Sequence, residues 1–276
     1  MIKRYSFFAK WRKKDVIFLN NLNINKTITE GYDGFWIENK DTYIKIIDHF
    51  SKKNSLFEKT EPPKFSTSLI GVSFSKKELD EAKYYNLVGT GTPKGYPQPK
   101  EGYKKIVFTS ECGNYRVNRK QIAPFRINKP KWNINQVNFS MEWEWDCMFF
   151  KKEFYPEVLA PLGIMSREVL LHSTGKPIED TIQLDIPIAE SKLLIENSEY
   201  DVYTPEQSCG KKQYSQQNLD FFPPFEKEFD FHICYTQEEF YGGFKRIIIS
   251  KELCQILVKH QVIKYHSAHL IPMKSI

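Results

Sequence analysis

Two stretches hold the residues whose types and spacing best suit chemistry. TSECGNYRVNRKQIAPF places Cys112-Gly113 before a tyrosine, a glutamine and a Pro-Phe pair. EQSCGKKQYSQQNLDFFPPF repeats that order around Cys209-Gly210, 97 positions later. A zinc knuckle needs thiolates in pairs, typically C-x2-C, so that two sulfurs reach one tetrahedral ion. Thr109 and Glu206 stand where the leading cysteines would be, so each corner offers a single sulfur. A metal site would then need Cys112, Cys209 and outside ligands such as His232 and Cys234, which share one face of an expected strand. A lone cysteine more often acts as a small buried hydrophobe, and the glycine after each suits a turn at positive φ. Cys112, Gly113, Cys209 and Gly210 therefore read as structural corners, with no metal and no cofactor.

MEWEWDC is the second candidate. On a strand, Glu142, Glu144 and Asp146 project to one face and Trp143, Trp145 and Cys147 to the other. Clustered carboxylates hold Mg²⁺ or act as an acid–base pair, but nothing nearby completes such a site. The expectation is a half-buried strand with tryptophans inward and acids in solvent. KHQVIKYHSAHLIPM supplies His260, His266 and His269 without the glutamate of HExxH, and it reads as extended surface chain. His49 and His172 are isolated. Ser75, Ser166 and Ser250 each follow an apolar residue and open a helical pattern, so they read as N-caps and not as nucleophiles. VGTGTPKGYPQPKEG lacks the GK[ST] of a phosphate cradle and reads as a turn-rich loop.

The elements that must position these residues follow from periodicity and breakers. VIFLN, GFWIE, SLIGVSF, KKIVFTS, VNFSMEWEWDCMFF, TIQLDIPI, KLLIE, EFDFHICY and FKRIIIS read as strands. TYIKIIDHF, SKKELDEAKYY, PEVLAPLG and SKELCQILVKH read as helices. QIAPFRINKPKWN reads as an extended linker, which sets a boundary near residue 130. The composition, 41% hydrophobic and 15% aromatic, is that of a globular chain. No run approaches the ~20 apolar residues of a membrane span. Five scattered cysteines suit free thiols in a reducing cytosol.

Charge is distributed unevenly. Residues 1–140 carry a balance of +13, residues 141–206 of −9 and residues 207–276 of +2, for a net +6. KRYSFFAKWRKK interleaves cations with aromatic rings, the mix used by surfaces that bind single-stranded nucleic acid. No RNP, helix-turn-helix or zinc-finger pattern accompanies it, and a solvated basic face is the bland reading.

The order of features is more informative than any one of them. A first Cys-Gly corner precedes a central acidic segment, an IQLDIPI strand, a second Cys-Gly corner, a Pro-Phe stretch and FKRIIISKEL entering a helix. This resembles the double-CxxCG-motif immunity proteins, cytoplasmic partners of lipoprotein toxins that bacteria pass between neighbouring cells. The resemblance is best from Leu162 to Met273, and weaker but ordered from Ser68 to Phe125. Loss of both leading cysteines implies that any metal of the family is absent here while the corners remain.

The resulting expectation is a β-rich α+β protein of two interlocked lobes, 1–130 and 131–276, each with one degenerate zinc-ribbon-like corner. The resemblance implies a cytoplasmic antitoxin, not an enzyme, that occludes a cognate protein toxin. Membrane, nucleic acid and small-molecule partners are not expected of that role. Glu142, Glu144, Asp146, Glu179, Asp180 and Asp185 are the expected contacts for a basic toxin. The runner-up is a nucleic-acid binder that uses the basic N-terminal half.

Overall fold

The computed structural model describes residues 1–22, 24, 26–51, 65–88, 104–110, 112, 116–141, 144–195, 200–206, 209–216, 220–265 and 270–275. Gly113, Glu142, Trp143, His266, His269 and the glycine-rich stretch 89–103 lie outside the described residues. The protein is α+β and strand-rich. It divides into two compact units, Met1–Lys76 with Asn218–Asp220, and Lys77–Gln217 with Phe221–Ile276.

In the first unit, β1 (Ile2–Trp11) lies between β2 (Gly31–Ile37) and β3 (Phe65–Ser73), antiparallel to both. Alternation along β1 sends Phe7, Ala9 and Trp11 into the core. There they meet Leu19 of α1 (Lys13–Asn20) and Ile46 and Phe50 of α2 (Lys40–Ser51). DVIFLN, expected as a strand, is α1. A four-residue apolar run does not separate helix from strand by period. The decision comes from Asp15, whose carboxylate accepts from the Arg12 backbone N–H at 3.1 Å and from its guanidinium at 2.7 Å, which caps the helix start.

The second unit opens with α3 (Lys76–Glu81), β4 (Tyr84–Leu87), α4 (Lys104–Val107), β5 (Phe108–Ser110), β6 (Arg119–Gln121) and β7 (Phe125–Ile127). It continues with β8 (Asn138–Met141), β9 (Glu144–Lys151), β10 (Met165–Leu171), β11 (Pro177–Asp185), β12 (Tyr200–Tyr203) and β13 (Gln213–Gln216). It closes with β14 (Ile233–Phe240), β15 (Phe244–Ser250), α5 (Lys251–Lys259) and β16 (Leu270–Pro272). One sheet runs β7-β10-β11-β9-β8 and another β12-β13-β14-β15-β4-β16, while β5 and β6 form a separate hairpin. Phe125, Phe139, Phe149 and Val169 fill one core, and Tyr200, Phe222, Phe240 and Ile248 another.

The division falls at Lys76 and not near residue 130. The segment read as a linker is structural instead: β6 pairs with β5, and Phe125–Ile127 pairs in parallel with Val169–Leu171. KKIVFTS splits into α4 and β5. SREVL is strand β10 and not a helix, so Ser166 is no cap. Ser250 is one: its Oγ accepts from the Leu253 N–H at 3.2 Å. Ser250→Ala is expected to cost about 1 kcal/mol, and Ser166→Ala less than about 0.5 kcal/mol. Urea midpoints of the two variants check this contrast.

Candidate functional site

Both cysteine corners sit in the loops of antiparallel hairpins. Cys112 lies between β5 and β6, where its backbone N–H donates to Ser110 Oγ at 3.1 Å and that hydroxyl donates to Val117 O at 2.6 Å. Cys209 lies between β12 and β13, with φ of 52° at Cys209 and 74° at Gly210. Successive left-handed residues turn the chain back sharply, which is why glycine suits position 210. The two corners meet in a disulfide, Cys112–Cys209, with a Cα–Cα distance of 5.5 Å. The expectation of five free thiols is corrected for this pair, because folding brings together two cysteines far apart in sequence. The expectation of one corner per lobe is corrected too, since both belong to the second unit. Cys147, Cys234 and Cys254 are free and buried. Burial pushes the Cys147 and Cys234 thiols well up and Cys254 up to about 12, so all three are poor nucleophiles. Among the described residues, no three His, Cys, Asp or Glu side chains come together to hold a metal ion.

The hairpin β5–β6 also borders a cleft of about 570 Å³ in the same unit, lined by residues of β9, β11, β14 and β15. Arg119 of β6 is buried and donates to both Glu144 and Asp146. Its guanidinium lies 4.1 Å from the Phe108 ring centroid and 5.5 Å from that of Phe244. Burial would lower the Arg119 pKa, but attraction to Asp146 and Glu144 outweighs it and the net shift is upward. Arg119 is thus a permanently charged clasp and not a proton donor. Tyr235 OH donates to the Asp146 carbonyl, and Gln121 and Gln183 pair through both amides at 2.9 and 2.7 Å.

Further along the cleft, Glu239 accepts from the Asn118 N–H at 2.6 Å and lies 3.9 Å from Lys245 Nζ. Burial raises the Glu239 pKa and lowers that of Lys245, pushing both toward their neutral forms. Among the described residues, Glu239 Oε2 has no hydrogen-bond partner. Gln121, Arg119, Tyr235, Glu239 and Lys245 were not singled out by sequence. The available signal was indirect: two acids at alternate positions of a buried strand, Glu144 and Asp146, require a cation.

The acidic face of MEWEWDC is the main correction. Glu144 is 0% and Asp146 7% exposed, whereas Trp145 is 53% exposed and stacks on Phe244 at 5.7 Å. Acids point in and tryptophan out, because the buried Arg119 supplies the charge that a protein interior lacks. Of the other expected contacts, Glu179 and Asp180 are exposed at the start of β11. Asp185 at its far end is partly exposed and pairs with Arg167. The Lys152 N–H donates to Asp180 O at 3.0 Å, which sets Asp180 beside the chain at exposed Glu153, itself 3.7 Å from Lys151 Nζ. His232 lies beside Ser250 Oγ at 3.5 Å and Glu252 at 3.7 Å. No helix among the described residues is long and apolar enough to cross a membrane. Compared with protein-family models, with curated proteins and with solved structures, the chain matches none.

Proposed function

We propose that the protein is a cytoplasmic immunity protein, an antitoxin that binds one cognate bacterial toxin and occludes its active site or substrate channel. One observation carries the reading: two Cys-Gly corners, the features of the family resemblance, meet at the ends of two hairpins in one unit. That meeting supports a shared framework and asks for no reaction. The side chains of the cleft support the same reading, since Arg119, Glu144 and Asp146 are engaged with one another and the free thiols are buried.

The toxin contact is the exposed acidic pair Glu179 and Asp180 at the start of β11. Glu144 and Asp146 leave the contact set because they are spent on Arg119, and Asp185 is shared with Arg167. An exposed acidic rim attracts a basic partner and acts mainly on the association rate.

The test uses the protein encoded beside this chain in its genome. Calorimetry is expected to show one-to-one binding, and co-expression is expected to protect cells from that toxin. Neither binding nor protection would reject the immunity reading. Glu179→Lys with Asp180→Lys is expected to weaken binding by about tenfold, chiefly through slower association. Unchanged association kinetics would reject the acidic pair as the contact while leaving the immunity reading standing.

A further inference from the structure

The first unit presents a surface that the immunity reading leaves unused. Its three-stranded sheet packs Phe7, Trp11, Phe35 and both helices on one side. By the alternation of the strands, Arg4, Phe8 and Lys10 of β1 and Tyr32, Gly34 and Trp36 of β2 lie on the other. Phe8 is 53%, Tyr32 75% and Trp36 37% exposed. Three exposed rings on one sheet face are a large apolar expenditure for a surface meant only for water.

Their arrangement is ordered. Register places Phe8 opposite Gly34, with Tyr32 and Trp36 two residues to either side on β2, a step of about 6.8 Å. A Cβ on residue 34 would come 2.9 Å from Phe8 Cδ2, so the glycine lets the Phe8 ring lie close over the strand. The Phe8 and Tyr32 rings are 20° from parallel with centroids 6.2 Å apart. Arg4 sits 4.4 Å above the Trp36 ring and Lys10 5.8 Å from the Tyr32 ring. Glu38 accepts from Arg4 at 2.7 Å and offsets part of its charge. Along the sequence the balance is positive, with 14 Lys/Arg against eight Asp/Glu in residues 1–76.

We propose that this face binds single-stranded nucleic acid, with bases stacked on Phe8, Tyr32 and Trp36 and phosphates drawn to Arg4 and Lys10. Rings offer every base a π-face without reading its edge, so binding is tolerant of sequence. Cations beside the rings neutralise the backbone and make affinity depend on salt. A duplex hides its base faces and fits this platform poorly. An acidic protein surface is the competing occupant, because it would answer the same cations but leave the rings without stacked partners. This inference does not rest on the immunity reading.

The test is fluorescence anisotropy of the full chain with labelled single-stranded oligonucleotides of about 12 residues. Saturable binding is expected, weaker for a duplex of equal length and for poly-glutamate. Phe8→Ser and Tyr32→Ser are each expected to weaken it about tenfold, with circular dichroism unchanged because both rings are exposed. Tyr32→Phe, which keeps the ring, is expected to bind like the parent and so separates lost stacking from misfolding. Arg4→Gln and Lys10→Gln are each expected to reduce the log–log salt slope by about 0.7 between about 50 and about 200 mM salt. No binding at the lower salt would overturn the proposal. Equal affinity for duplex or poly-glutamate, or ring variants that bind like the parent, would overturn it as well. None of these outcomes bears on protection from a toxin through Glu179 and Asp180.

Discussion

Replacing Glu144 by glutamine is expected to destabilise the protein by about 3–5 kcal/mol, the usual cost of breaking a buried ion pair from one side. Glu144, Asp146 and the Arg119 side chain are all nearly inaccessible, so no water replaces the lost carboxylate charge. In a folded unit of this size each kcal/mol moves Tm by about 2–4 °C, so a fall of roughly 6–20 °C is expected. Arg119→Met should cost at least as much, since it leaves two like charges buried together. The triple change Arg119→Met, Glu144→Leu, Asp146→Leu should recover much of the loss, because an apolar replacement carries no desolvation penalty. Trp145→Ala on the opposite side should cost only about 1 kcal/mol, the order of one exposed ring contact. Thermal and urea unfolding of the four variants check the set. A loss at Trp145 larger than that at Glu144 would restore the tryptophans-inward reading and reject the buried clasp.

The second large effect concerns the corners. Cys112→Ser with Cys209→Ser is expected to cost roughly 3–5 kcal/mol under oxidising conditions. The bond joins residues 97 apart, and closing so long a loop removes much chain entropy from the unfolded state. A reductant should lower the stability of the parent by a similar amount and leave the double variant unmoved. Mass spectrometry of the alkylated protein gives the bond directly. Oxidised cysteines with no response to reductant would show that the bond contributes nothing, and two alkylated thiols in the air-exposed protein would show that the corners do not pair. In a cytoplasm the bond persists only if its reduction potential lies below that of the glutathione pool. The same alkylation performed on quenched cells measures whether it does.

Much of the strand order was legible from periodicity alone. β2, β11, β15 and the helix α5 stand where apolar runs or helical spacing place them. Misreadings arose where a local pattern suited two answers. DVIFLN became helical through a cap formed by Arg12 and Asp15, and SREVL became a strand through pairing with β11 and β7. The linker reading of residues 121–133 failed for the same reason, since a short segment takes its state from a neighbour that local pattern does not reveal.

By itself the sequence determined that two Cys-Gly corners recur, that the chain is a strand-rich α+β protein, and that its charges segregate along its length. Those properties are composition and local order, which need no partner. Which face of MEWEWDC is buried was a tertiary decision, because alternation distinguishes two faces without ranking them and the ranking came from Arg119 on another strand. The meeting of Cys112 and Cys209 was likewise tertiary: each hairpin forms locally, but contact between their loops is a property of the packed unit. The exposed rings of Phe8, Tyr32 and Trp36 belong to the same class, since only strand register placed them together on one sheet face.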